Sequence, residues 1–244
     1  IFTLTSGAFF LIGILSVYFA TGTFVMYAIT ELNFVGVASS TFNILIPSVL
    51  IFLIFFIGFA IKLPLFPLHS WLPDAHTDAP TAVSIMLAGV LLKMGGYGLL
   101  RINVDIFNSI DPSILFDLSP YIALIGAVSV IYGAVLTIRQ TDLKRLIAFS
   151  SVSHMGYIIL GLSSYNAYSS LGSSVGLGGT ALQLFTHGTI TGLAFYLVGL
   201  TYERTHTRHI PHLGGLAIKM PLITTFFVLA GFASLGLPGL SGFV

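Results

Sequence analysis

Two lysines and two histidines lie inside runs of apolar residues, where an ionisable side chain is costly to place. Lys62 and Lys93 occur in otherwise almost wholly apolar segments, and His154 and His187 fall inside two others. An ammonium group and an imidazole can each take up and release a proton, and imidazole titrates near physiological pH. These four residues therefore predict proton transfer within an apolar environment as the candidate chemistry.

Lys93 has the least favourable position for a charge. It follows Thr81 by 12 residues, which places it about 18 Å along a helix and near the middle of a bilayer core. A charge there costs at least about 2.5 kcal/mol. The structural alternative is snorkelling to the interface, but a lysine side chain is too short for this from the midplane. Low dielectric disfavours the ammonium over the amine, which suits a residue that exchanges a proton.

Lys62 precedes two prolines that should break its helix. Pro64 and Pro67 each remove a backbone donor and clash with a preceding carbonyl. Transporters build ion sites from charged residues beside broken helices. We therefore take Lys62 as a second candidate carrier. The alternative is an interfacial anchor, because Lys62 lies late in its segment.

The stretch 67–76 contains two histidines, His69 and His76, with the only tryptophan of the chain. A metal site would need Asp74 and Asp78 as further ligands, and we disfavour it. We predict instead that this stretch takes up protons from the aqueous side. The structural alternative is a capped helix at the membrane interface.

Polar residues accompany both buried histidines at helical spacing, so that each histidine shares a face with groups able to order water. A satisfied core histidine, or hydrogen bonding between helices worth about 1 kcal/mol or less, is the alternative. The two stripes are Ser150, His154 and Tyr157 in one segment, and Thr180, Gln183, His187 and Thr191 in the other.

Composition indicates that lipid is the solvent. The 244 residues are 56% hydrophobic and 7% charged, with mean hydropathy +1.01, whereas an average soluble domain carries about 25% charged residues. A net charge of +1 offers no basic face for nucleic acid. The absence of cysteine excludes disulfides and thiolate metal sites within the chain. We predict an all-α polytopic membrane protein.

Seven segments are apolar enough to span a bilayer, and the charges in the loops support this count. Six loop cations fall on one side, in 139–145 and 202–219, whereas the other side has only Arg101. We therefore expect the basic loops to face the cytoplasm, stroma or matrix. The segments are about 1–20, 43–63, 81–100, 119–138, 146–163, 176–201 and 220–243, with loops at 21–42, 64–80, 101–118, 139–145, 164–175 and 202–219.

The last segment is also interrupted, by Pro238 within the stretch 237–242. Paired interruptions, here near Pro64 and Pro238, suggest corresponding positions in two inverted repeats. Gly95 and its neighbours lack the context of a phosphate loop, so that close helix packing explains them. We expect 1–244 to be one transmembrane domain and a piece of a longer polypeptide, because both ends look cut.

Several stretches resemble the antiporter-like chain 4 (chain M or D) of complex I-type NAD(P)H–quinone oxidoreductases. The most specific is Ala60–Leu100 (AIKLPLFPLHSWLPDAHTDAPTAVSIMLAGVLLKMGGYGLL). The others are Thr141–Gly156 (TDLKRLIAFSSVSHMG), His187–Gly188, Tyr202–Arg208 (YERTHTR) and Ala233–Phe243.

The resemblance implies a fold of two inverted repeats, each with a broken helix, of which this chain covers about helices six to twelve. Residues 1–100 would end the first repeat and 119–244 would form most of the second. Lys62 would be the lysine of the first broken helix, and Lys93 that of the next helix. His69, His154 and His187 fall on matching motif positions of the proton channel.

The resemblance also implies a proton-translocating subunit without a redox centre of its own. NADH, NADPH or ferredoxin, flavin, iron–sulfur clusters and quinone would be handled by partner subunits. The partners would be other membrane subunits, above all neighbouring antiporter-like chains, in a bacterial plasma, thylakoid or mitochondrial inner membrane.

The sequence departs from the family pattern at two points, and two alternative functions are considered. The family pairs the broken-helix lysine with an earlier glutamate, but only Glu31, in a predicted loop, precedes Lys62. The carboxylate expected just beyond the second broken helix is also missing. The first rival is a subunit of a multi-subunit cation/proton antiporter without redox coupling. The second is a scaffold that only packs, against which the two buried lysines argue.

Overall fold

The computed structural model describes residues 1–31, 47–110, 112–165 and 170–243, and this part of the chain is helical apart from turns and one isolated β-bridge. The predicted all-α fold is confirmed. The helices are α1 (Phe2–Thr21), α2 (Met26–Glu31), α3 (Ser48–Lys62), α4 (Trp71–Asp78), α5 (Thr81–Ile110), α6 (Pro112–Ile138), α7 (Leu143–Ser163), α8 (Ser170–Thr205), α9 (Leu216–Lys219) and α10 (Pro221–Ser234).

Each predicted span contains a helix, but two of these helices are short. Among the described residues, five helices are long and apolar enough to cross a membrane, namely α1, α5, α6, α7 and α8. The shorter apolar helices are α3 and α10, which end at Lys62 and Ser234, just before Pro64 and Pro238. Both predicted interruptions are confirmed, so that the seven predicted segments comprise these five long helices and two broken ones. Residues 43–46 lie outside the described part.

The predicted loop at 101–118 is wrong, because α5 continues to Ile110 and α6 begins at Pro112. Charged residues lower the hydropathy there without ending the helix. Arg101 and Asp105, one turn apart on α5, form an ion pair of 2.8 Å. In the same way α8 runs on to Thr205, into the predicted loop 202–219.

Two smaller boundaries also differ from the prediction. Glu31 ends the short helix α2 rather than lying in a loop. Helix α7 begins at Leu143, because the carboxylate of Asp142 accepts hydrogen bonds from the backbone N–H groups of Lys144 (2.8 Å) and Arg145 (3.1 Å).

Glycine allows several helices to pack closely, as expected for membrane helices. Between α6 and α7, a Cβ added at Gly156 would lie 2.8 Å from the carbonyl oxygen of Gly126. A Cβ at Gly95, on α5, would lie 3.0 Å from the backbone nitrogen of Leu63. The packing interpretation of the glycines after Lys93 is therefore confirmed, and the broken end of α3 is held directly against α5.

The isolated β-bridge joins the two basic loops. It pairs Asp142 with His209, so that Leu143 N–H donates to Arg208 O (3.1 Å) and Ile210 N–H donates to Thr141 O (2.8 Å). The start of α7 and the segment that follows α8 are thus fixed to each other at one end of the helices.

Candidate functional site

Lys93 reaches from α5 to a histidine on α8. Its Nζ lies 2.9 Å from Nδ1 of His187, and it also donates a hydrogen bond to the carbonyl oxygen of Ala88. His187 is only 3% exposed. Ala88 belongs to a π-helical turn, Leu87–Leu91, that ends two residues before Lys93. Such turns occur often at functional sites.

Two facing glycines bring these helices close enough for the contact. A Cβ at Gly188 would lie 2.9 Å from the carbonyl oxygen of Gly89 and 3.4 Å from Cε of Lys93. The lysine side chain therefore passes over a position on α8 that has no side chain. A residue with a Cβ at Gly188 would be too close to the carbonyl oxygen of Gly89, so that the two helices could not pack as they do here.

A second histidine continues the series of polar groups. The ring centroids of His154, on α7, and His187 are 5.0 Å apart. Nδ1 of His154 lies 3.1 Å from Nε2 of Gln183, and its Nε2 lies 3.0 Å from Oγ of Ser234 at the end of α10. Because the Gln183 amide nitrogen can only donate, a neutral His154 carries its proton on Nε2 and donates it to Ser234.

His154 borders an open cavity of about 750 Å³ between α6, α7, α8 and α10, where polar side chains are set in a mostly apolar surface. The polar side chains can order water molecules within a cavity of this size. The two predicted polar stripes therefore face each other, apart from His187 and Thr191, which lie deeper. The polar residues that line the cavity include Ser150, His154, Tyr157, Thr180, Gln183 and Ser234.

The outer nitrogen of His187 is unsatisfied. Nε2 is buried and has no hydrogen-bond partner among the described residues. When the Lys93 ammonium donates to Nδ1, the proton of a neutral His187 must sit on this Nε2. A proton gained at Nδ1 can then leave from Nε2, on the other side of the ring.

The two histidines of the predicted uptake stretch, His69 and His76, lie apart from this cluster. His69 is 6% exposed and packs edge-on against Tyr132, with ring centroids 5.0 Å apart, and burial lowers the pKa of His69. His76 is fully buried and stacks on Phe195 at 4.4 Å. Neither ring nitrogen of His76 has a hydrogen-bond partner among the described residues.

Cations from α7 and from the segment after α8 hold the C-terminal end of α4, next to His76. Lys144 Nζ donates to Ala79 O (2.6 Å), and Arg208 donates to Thr77 O (3.0 Å). Burial, followed by the nearby charges of Lys144 and Lys93, lowers the pKa of His76 to about 3. Sequence reasoning counted Lys144 only as a loop cation, whereas it is 3% exposed. Its position just after the Asp142 cap was the available signal.

The side chain of Lys62 lies outside the cluster of Lys93, His187 and His154. Its Nζ lies 6.0 Å from the ring centroid of Phe10 and has no hydrogen-bond or ion-pair partner among the described residues. The side chain of Glu31 lies outside what the structure describes, so the expected pairing with Lys62 stays a prediction. In the described ranges, no three His, Asp or Glu side chains are grouped as metal ligands.

The sequence of the chain matches one protein family and several known relatives. The family described as "NADH:quinone oxidoreductase/Mrp antiporter, TM" matches residues 1–244. NAD(P)H-quinone oxidoreductase chain 4 1 of Synechococcus sp. (strain JA-3-3Ab) is 42% identical over 244 residues, which are 100% of this chain and 43% of that protein.

Two solved structures share the fold. A chain of respiratory complex I from Thermus thermophilus with bound NADH is 32% identical, with a TM-score of 0.81, over 99% of this chain and 48% of that one. A chain of the Mrp complex from Dietzia sp. DQ12-45-1b is 24% identical, with a TM-score of 0.83, over 99% of this chain and 41% of that one. At that identity the second likeness shows the fold alone. The chain spans less than half the length of these proteins, and its apolar helices make it an integral membrane protein.

Proposed function

Because the chain belongs to the NADH:quinone oxidoreductase/Mrp antiporter transmembrane family, we propose that it carries protons across the membrane as a subunit of a quinone-reducing complex. The observation that carries this proposal is the contact of 2.9 Å between Lys93 Nζ and His187 Nδ1, continued by His154 at an open cavity with several polar side chains. Lys93, His187 and His154 are the proposed relay.

The first transfer follows from the closeness of the two bases. Two unit charges 2.9 Å apart repel by about 6 kcal/mol at an effective dielectric constant of 20. Lys93 and His187 therefore carry one positive charge between them rather than two. A proton arriving at Lys93 moves from Nζ to Nδ1 of His187, and the Nε2 proton of His187 is released on the far side of the ring.

The second transfer passes through His154. The proton released by His187 is taken up at Nδ1 of His154, directly or through water, in place of the hydrogen bond from Gln183. The Nε2 proton of His154 then leaves toward Ser234 and the cavity. Gln183 fixes the orientation of the His154 ring and keeps the proton of the neutral form on Nε2. Each transfer moves one proton and leaves the histidine neutral with its remaining proton on Nδ1. A ring flip, or proton exchange with water, restores the resting tautomer with the proton on Nε2 before the next transfer.

Uptake is assigned to the basic end of the molecule, which we place on the cytoplasmic, stromal or matrix side. His76 lies there, and neither of its ring nitrogens has a hydrogen-bond partner among the described residues. Because its pKa is lowered to about 3, His76 passes a proton on rather than retaining it. Lys62 and His69 belong to the same half of the route. The backbone of Lys62 adjoins α5, since its carbonyl carbon would lie 3.3 Å from a Cβ at Gly95.

Electron transfer is assigned to other subunits of the complex, which would hold quinone, flavin, iron–sulfur clusters and the site for NADH, NADPH or ferredoxin. Identity favours this assignment over a cation/proton antiporter. The sequence identity of this chain is 42% with the quinone oxidoreductase chain and 32% with the complex I chain, but only 24% with the Mrp chain.

The test replaces a relay lysine in the intact complex. Lys93→Met keeps the length of the side chain and removes its charge, and Lys62→Met does the same at the helix break. In proteoliposomes, we expect both variants to assemble but to translocate fewer protons per quinone reduced. Arg139→Met, at an exposed cation outside the relay, should leave the ratio unchanged.

An unchanged proton-to-electron ratio in the Lys93→Met complex would refute the role of this lysine. The rival function has its own signature. If the protein purifies without quinone-binding subunits, and vesicles exchange sodium for protons without quinone reduction, the chain is part of a cation/proton antiporter.

A further inference from the structure

A second cavity, a groove of about 450 Å³, lies between α8 and α10, away from the histidines. Its walls are almost entirely apolar along most of their length. Two cations, Arg204 and Lys219, lie at one end, where α8 ends and α10 begins. The apolar lining includes Leu193, Leu197, Leu200, Ile223 and Phe226.

The dimensions of the groove match one leaflet of a bilayer. Leu193 and Arg204 are separated by about 16 Å along α8, and half of a bilayer core is about 15 Å thick. An extended acyl chain spans one leaflet, so that the groove suits a hydrocarbon chain that lies along α8 with its polar end at the two cations.

The two cations at the end of the groove lack anionic partners. Arg204 and Lys219 are exposed, and neither forms an ion pair with another described residue. The chain continues from Lys219 directly into the first turn of α10, whose backbone N–H groups add positive potential at the same place. An anionic group at this end would be complementary to all three.

We propose that the groove between α8 and α10 binds one anionic phospholipid. An acyl chain lies along Leu193, Leu197 and Leu200, and the headgroup phosphate is held between Arg204 and Lys219. Basic pockets between transmembrane helices are known to bind anionic lipid headgroups. This site is independent of the proton relay.

The test uses the intact complex and phosphatidylglycerol with a photoactivatable group on its acyl chain. We expect the crosslinks to fall in the peptides around 193–204 and 219–226. The double variant Arg204→Gln with Lys219→Gln should reduce this labelling about 25-fold, at about fivefold for each cation near a membrane surface. Arg139→Gln, an exposed cation outside the groove, should not change the labelling.

A second variant tests the site independently, in case the double variant does not fold. Leu222→Glu introduces a carboxylate at the second residue of α10, where the helix tolerates negative charge and the phosphate would be repelled. It should also abolish the labelling. Equal labelling by photoactivatable phosphatidylcholine, unchanged labelling in both variants, or crosslinks from the groove to a protein segment would each overturn the proposal.

Discussion

The contact between Lys93 and His187 should depend on the absence of a side chain at Gly188. In Gly188→Ala, the new Cβ would lie 2.9 Å from the carbonyl oxygen of Gly89, a backbone atom that cannot rotate away. Helices α5 and α8 would have to separate by about 0.5 Å to reach ordinary contact at about 3.4 Å. The Lys93–His187 distance would lengthen by about the same amount, to where hydrogen bonds are weak.

The energetic effect has two opposing parts. Overpacking of this kind destabilises by about 1–3 kcal/mol. Alanine is favoured over glycine within a helix by up to about 1 kcal/mol, which offsets part of the loss. We therefore expect the Gly188→Ala protein to be less stable by up to about 2 kcal/mol and to translocate protons more slowly, because the first transfer is stretched.

Gly192→Ala is the matched control, one turn further along the same helix. A Cβ at Gly192 meets only Cγ2 of Ile85, at 4.0 Å, so that this variant should be as stable as the wild type or more so. Thermal unfolding in detergent and proton translocation in proteoliposomes measure the two effects. If Gly188→Ala and Gly192→Ala behave alike in both assays, the close approach of α5 and α8 does not control the transfer.

Two further changes test the basic end of the molecule. Since the pKa of His76 is lowered to about 3, wild-type stability should fall as the pH drops from 6.5 towards 3, by up to about 1.4 kcal/mol per pH unit. His76→Phe should flatten this dependence in thermal unfolding at several pH values, and parallel curves would contradict the assignment. Asp142→Ala should cost about 1 kcal/mol of unfolding free energy through loss of the α7 cap, whereas Asp142→Asn should retain most of it. An equal loss in both variants would assign the effect to the nearby Arg208 instead.

Hydropathy and periodicity predicted the features that belong to a single helix. The breaks at Pro64 and Pro238 were predicted from proline chemistry, and the stripes around His154 and His187 from helical spacing. Both stripes lie where the spacing predicted, and most of their residues line one cavity or contact Lys93. These properties are local, so that one segment of sequence contains all the information they need.

The contacts between helices could not be predicted in this way. Lys93 and His187 are 94 residues apart, and their meeting depends on which faces of α5 and α8 pack together. The glycines that decide this, Gly89 and Gly188, look like any other small residues in an apolar run. The length of α5 was missed for a related reason, since Asn103 looks polar but donates to Phe52 O (3.0 Å) inside the bundle.

The two π-helical turns on either side of Lys93, Leu87–Leu91 and Leu99–Val104, have a practical consequence. Each holds about one residue more than an α-helical turn, which rotates everything after it by about 100°. A helical wheel drawn from Thr81 at 3.6 residues per turn therefore misplaces Lys93 by about 100° around the helix, and misplaces residues beyond Val104 by about twice as much. Positions for an alanine scan of the face of α5 against α8 should therefore be chosen from the structure and not from such a wheel.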